Sequence, residues 1–210
     1  MKKILYIQAS PRGTRSHSLA AANAFIEAYR AVHPEDQVAA LDLFKADLPS
    51  FDGVAVQAKY SILHGARHTP EELGAWRAVE AVIEDFKSAD KYVMAVPMWN
   101  FGIPYRLKHY LDILVQPGYT FSFSPETGYK GMVTGKPVFV AYSRGGAYAP
   151  GTGAEAFDLQ KRYLELILGF MGFADIRSVV VEPTLQEGPE VAARQREAAM
   201  ALARDMAKLF

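Results

Sequence analysis

Apolar residues in this chain gather in short runs, separated by longer stretches where they recur every third or fourth position. The runs lie in the segments Lys3 to Ala9, Val38 to Phe44, Tyr92 to Val96, Val138 to Tyr142 and Ile176 to Val181. Short apolar runs rich in β-branched and aromatic residues predict strands buried on both faces of a parallel sheet. Between them the period is helical. Leu19, Ala22, Ile26 and Tyr29 predict a helix to about Val32, stopped by His33-Pro34. Thr69-Pro70-Glu71-Glu72 offers a cap, a first-position proline and first-turn acids, so a helix runs from there to about Lys87. Leu107, Tyr110, Leu111 and Leu114 mark one from Pro104 to about Val115, and another spans about Ala156 to Met171. Pro189 opens the last, with Val191, Ala198, Leu202, Met206 and Leu209 as its apolar stripe.

This alternation predicts one α/β domain over residues 1–210, a doubly wound five-stranded parallel sheet in the order 2-1-3-4-5. That order sets the carboxyl ends of strands one, three and four side by side, where open α/β sheets bind ligands. Two stretches break the alternation. Residues 45–69 read as an irregular connection, long enough to be functional or part of an interface. Residues 116–135, with four glycines, two prolines, Tyr119, Phe121, Phe123 and Tyr129, read as an irregular excursion or hairpin near the site.

The three strand ends carry the candidate chemistry. After strand one, Ser10, Thr14, Ser16, His17 and Ser18 run with Arg12 and Arg15 into a helix start. Hydroxyls beside free helix N–H groups suit a phosphate dianion, although Ser16 or Ser18 also serves as an ordinary N-cap. Neither G-x-G-x-x-G nor G-x-x-x-x-G-K-[ST] is present. After strand three, Pro97-Met98-Trp99-Asn100-Phe101-Gly102-Ile103-Pro104 offers aromatic faces between two stiffening prolines. A flat ring system wants such apolar contacts and a few fixed hydrogen bonds. After strand four, Ser143-Arg144-Gly145-Gly146 lets backbone approach a ligand closely and presents N–H donors.

Composition narrows the function. Lys+Arg and Asp+Glu both number 23, and this balance argues against a nucleic-acid binder. The absence of cysteine removes disulfides, thiolate metal sites and cysteine nucleophiles. No stretch approaches the roughly 20 apolar residues of a membrane span. The apolar run after Met1-Lys2-Lys3 stops at Gln8, too short for a secretion signal, so a cytoplasmic protein is expected. His64 and His68 stand at i, i+4, but Gly65 opposes the helix a metal pair would need, so no metal site is expected; His109, beside Lys108, is expected at the surface. A hydrolase acting through Ser143 lacks G-x-S-x-G.

Taken together, Pro97 to Pro104, Leu107-Lys108, Asp112, Gly118-Tyr119-Thr120-Phe121, Gly131, Gly135-Lys136 and Ser143 to Gly146 resemble the FMN-dependent NADH-azoreductases, flavodoxin-like quinone and azo-dye reductases. The resemblance covers essentially the whole chain. It implies FMN, with Ser10 and Ser16 to Ser18 holding the phosphate, Pro97 and Met98 to Phe101 lining the isoalloxazine, and Ser143 to Gly146 meeting its pyrimidine edge. It implies ping-pong reduction of a quinone or azo compound by NADH or NADPH. It also implies a homodimer in which Phe123 and Phe170 reach the partner's substrate pocket, with Tyr148 a candidate proton donor in that pocket. Trp99 and Phe123 stand where tyrosine is frequent in the family, and Tyr148 where some members have histidine. A flavodoxin-type electron carrier is the alternative, opposed by the balanced charge and the two long excursions.

Overall fold

The computed structural model describes residues 1–210. Five parallel strands form the sheet: β1 (Lys3–Gln8), β2 (Gln37–Asp42), β3 (Lys91–Pro97), β6 (Val138–Ser143) and β7 (Ile176–Val181), in spatial order β2-β1-β3-β6-β7. Counted without the hairpin strands, this is the order 2-1-3-4-5. β1, β3 and β6 are neighbours, with Gln8 opposite Ala95 and Pro97 opposite Ser143, so their carboxyl ends form one crest. β3 and β6 are buried along almost their full length, as the unbroken apolar runs require.

Helices α1 (His17–Val32) and α6 (Gly188–Ala207) cover one face, over a core of Ile4, Tyr6, Phe25, Val93 and Phe139. Helices α3 (Pro70–Ser88), α4 (Tyr105–Leu114) and α5 (Leu159–Met171) cover the other, over Leu5, Ile7, Met94, Val140 and Tyr142. The buried stripe of α6 differs from the expected one. Ala192, Ala199, Ala203 and Ala207 face inward, while Ala198, Leu202 and Leu209 are exposed. Small side chains win that face because α6 lies closely on α1, which meets it partly through alanines.

The connection 45–69 is not irregular throughout. It contains helix α2 (Gly53–Leu63), capped by Asp52, whose carboxylate accepts from the N–H groups of Val54 and Ala55. Its period is hard to read because apolar residues surround it: Ala55 and Ala58 are buried, but Tyr60, Ile62 and Leu63 are exposed. His109 is half-buried rather than superficial. Its Nε2 lies 3.0 Å from the Pro49 carbonyl, and Arg106 donates to the carbonyls of Leu43 and Ala46. Two side chains of α4 thus grip the connection.

Residues 116–135 contain the antiparallel hairpin β4 (Phe121–Ser124) and β5 (Gly128–Gly131). Gly131 seats it on the end of α5. A Cβ there would lie 2.3 Å from the Gly172 nitrogen, so only glycine allows the two backbones to meet.

Candidate active site at the crest of the sheet

The loop after β1 is built around a helix start. Ser16 is the N-cap of α1; its Oγ accepts from Leu19 N–H at 3.3 Å and lies 3.2 Å from Ser18 Oγ. Ser10, Ser16 and Ser18 are all buried, at 3%, 3% and 0% exposure, where a hydroxyl is unusual unless it has work to do. The N–H groups of His17 and Ser18 donate to no acceptor in the chain, as expected in a first helical turn. His17 Nδ1 is buried without a partner. Burial holds the imidazole below its usual pKa, and the guanidinium groups of Arg196 and Arg12 lower it further. Orphaned donors, hydroxyls and nearby cations fit a phosphate.

The loop after β3 is a tight turn. Trp99 and Gly102 exchange two backbone hydrogen bonds, at 3.0 and 2.9 Å, across Asn100 and Phe101. Both central residues have positive φ, +47° at Asn100 and +68° at Phe101, the sign pattern of a type I′ turn. Asn tolerates that conformation, but Phe at the position usually given to glycine is strained by about 1–2 kcal/mol. Neither N–H is bonded within the chain, and Trp99 and Phe101 remain 36% and 46% exposed. Such strain and exposure together mark a surface shaped for a ligand. Met98 is half-buried and Pro97 fully buried behind the turn. A cleft of about 540 Å³ opens beside it, walled by Phe51, Trp99, Asn100, Ile103, Tyr105 and Lys108 among others.

The loop after β6 is joined directly to that turn, since Met98 N–H donates to the Ser143 carbonyl at 2.7 Å. Its carbonyls are occupied. Arg144 C=O accepts from Thr184, and Gly145 C=O accepts from Leu185 and Gln186. The N–H groups of Gly145 and Gly146 are not used within the chain. The Arg144 side chain is turned into the interior. Arg144 is 3% exposed, and its guanidinium is bonded to Gln160 at 3.0 Å, Asp158 at 2.8 Å and Glu182 at 3.2 Å. Tyr148 sits beside this loop, its N–H on Glu182 and its ring edge-on to Phe101 at 6.3 Å.

Phe123 and Phe170 are not brought to these loops. They belong to a second aromatic group with Phe121 and Tyr129, around the hairpin and the last turn of α5. Phe157 and Leu159, which do meet the turn, stand at the opposite end of α5: Leu159 N–H donates to Phe101 C=O, and Phe157 lies 5.2 Å from the Phe101 ring. Eleven residues of helix separate Leu159 from Phe170, about 16 Å.

The flavodoxin-like fold family matches residues 2–206. Over the full length of both chains, this one is 58% identical to the FMN-dependent NADH:quinone oxidoreductase of Nitratidesulfovibrio vulgaris strain DP4. This chain belongs to the FMN-dependent NADH:quinone oxidoreductase family. Among solved structures, an azoreductase from Bacillus anthracis str. Sterne superposes with a TM-score of 0.91 at 31% identity, covering all of both chains. An FMN-dependent NADH-azoreductase from Bacillus anthracis str. Ames Ancestor, in complex with FMN, matches at 0.86 and 27% identity over 99% of this chain and all of the other.

Within this oxidoreductase family member, sequence reasoning missed Phe157, Asp158, Gln160 and Glu182. Only Asp158 carried a local signal, as the N-cap of α5 accepting from Lys161 N–H. His68, one of the two spaced histidines, places Nε2 2.9 Å from the Ala58 carbonyl, and His64 is exposed at the end of α2. No helix is long and apolar enough to cross a membrane.

Proposed function

We propose that this chain is an FMN-dependent oxidoreductase that uses NADH or NADPH to reduce quinones and aromatic azo compounds. Family membership supports the reaction class, and the residues at the crest fit the cofactor. The observation that carries the fit is the set of unused donors on three adjacent strand ends: His17 and Ser18, Asn100 and Phe101, Gly145 and Gly146. The first pair, with the hydroxyls of Ser10, Ser16 and Ser18, holds a phosphate. The second pair, with the faces of Trp99 and Phe101, meets the flat side of a ring. The third donates to its pyrimidine edge. Bound FMN would supply the hydride chemistry between nicotinamide and quinone or azo compound, with Gly145 and Gly146 N–H groups at the edge that would gain negative charge.

The protein's own part is to bind, orient and stabilise charge. Gly145 and Gly146 N–H groups, aimed in advance, favour negative charge at the edge they touch. One shared pocket requires the donor to leave before the acceptor enters, which gives ping-pong kinetics. Tyr148, whose ring lies edge-on to Phe101, is the proposed proton donor to a bound substrate. The whole chain acts as one FMN-binding unit, working in the cytoplasm where nicotinamide donors are held.

A homodimer is part of the proposal. Phe123 and Tyr129 are 60% and 67% exposed, and Leu159 and Leu166 of α5 are 55% and 71% exposed. Aromatic and aliphatic surface of this kind asks for a partner. Since Phe123 and Phe170 lie far from their own crest, they act on the pocket of the other subunit.

The test is the visible spectrum of the purified protein. A flavin band near roughly 450 nm, bleached by NADH and restored by a quinone, is expected. A colourless protein that takes up no FMN would overturn the reading.

A further inference from the structure

We propose that Arg144 is a positioning residue that sets both the placement and the electrostatic balance of the ring-edge loop. The inference rests on the flavin reading above. Three segments meet at this one guanidinium. Arg144 itself follows β6; Asp158 and Gln160 come from the start of α5; Glu182 follows β7. Gln160 passes the contact on, donating to the Val96 carbonyl at 2.8 Å, one residue before Pro97 and the β3 turn. Leu159, between the two α5 partners, holds Phe101 C=O. Glu182 also accepts Tyr148 N–H at 3.0 Å. Tyr148 therefore hangs from a partner of Arg144, and Phe101 from Leu159, the residue between two of them. Its planar fork fixes the directions of three bonds at once and spreads them over three nitrogens, which a lysine's single rotatable ammonium does not.

Charge makes the second half of the argument. Asp158 and Glu182 are 12% and 13% exposed in their side chains, and Arg144 2%. One buried cation is set against two nearly buried carboxylates, on the residue that immediately precedes Gly145 and Gly146. Removing the cation leaves two carboxylates there; removing Glu182's charge leaves a neutral pair. The two changes act in opposite directions on the potential of bound flavin. A residue that merely stabilised the fold would not produce that sign reversal.

The experiment uses the full chain, with FMN titrated onto flavin-depleted protein and the midpoint potential measured on the holoprotein. Arg144→Gln is expected to weaken FMN binding at least ten-fold and to make the potential more negative. Glu182→Gln is expected to make it more positive. Arg144→Lys keeps the charge but loses the fork, so affinity falls while the potential stays near that of the wild type. If Arg144→Gln does not fold, the pair Glu182→Gln and Arg144→Lys decides. Unmoved FMN affinity in Arg144→Lys, or a potential in Glu182→Gln that is unchanged or more negative, would overturn the proposal. A wild-type protein that binds no FMN would instead sink the flavin reading itself.

Discussion

The loops that leave β1 and β6 stand on either side of β3 and are held by different means. The β1 loop is local. Ser16 caps the helix that follows it, and Ser18 lies two residues on. The β6 loop is held from a distance, by partners 14, 16 and 38 residues further along the chain. The difference matches the ligand proposed for each loop. A phosphate needs N–H groups pointing one way, which any helix start provides. A ring edge must be met at fixed height by a glycine turn that has little stiffness of its own, so the stiffness is imported.

This contrast predicts unequal costs. Asp158→Ala leaves Arg144 half-paired in the interior and uncaps α5. Glu182 still balances the guanidinium, so the cost is one charge-assisted hydrogen bond, about 1.5–3 kcal/mol, plus the cap, about 1 kcal/mol. Urea unfolding of the flavin-free chain measures it, and a loss under about 1 kcal/mol would erase the distinction between the loops. Ser16→Ala removes one cap and costs about 1 kcal/mol in the same assay, with FMN affinity falling as well. If Ser16→Ala proved the more damaging to stability, the local loop would be the structural one and the contrast would be inverted.

The smallest effect concerns His17. Its pKa in the fold is held below the ordinary value of about 6.5, first by burial and then by Arg196 and Arg12. The fold therefore prefers the neutral ring. Its contribution to stability is complete above about pH 6.5 and is lost as pH falls through the lower folded value. Thermal melts of the flavin-free protein should decline slightly more between pH 7.5 and 5 in the wild type than in His17→Gln. Equal declines would show that the imidazole is not held neutral.

How much of this could be read from residues alone follows the same division. The five strands, α1, α3 and α4 were legible because their signals are short-range: apolar runs, a 3.6-residue period, the Thr69 cap. So was the capped helix start after β1, for the same reason. Helix α2 was not, because apolar residues surround it and only Ala55, Ala58 and Ser61 are buried. The inward face of α6 was misread because close approach to α1 selected alanine over the larger Leu202 and Leu209. Strain at Phe101 had no signal, since nothing in Trp-Asn-Phe-Gly states that φ is positive at the third residue rather than the fourth.

By itself the sequence determined the sheet order, the three adjacent strand ends that carry the candidate site, and the residue types along them. Those depend on local periodicity and on topological rules that hold for any such alternation. The tertiary structure alone decided which way Arg144 faces. A motif places an arginine beside two glycines and cannot say whether it meets the ligand or supports the loop. That depends on Asp158, Gln160 and Glu182, which come within hydrogen-bonding reach only when α5 and β7 have docked, and which bind the guanidinium in the interior because a buried cation needs partners.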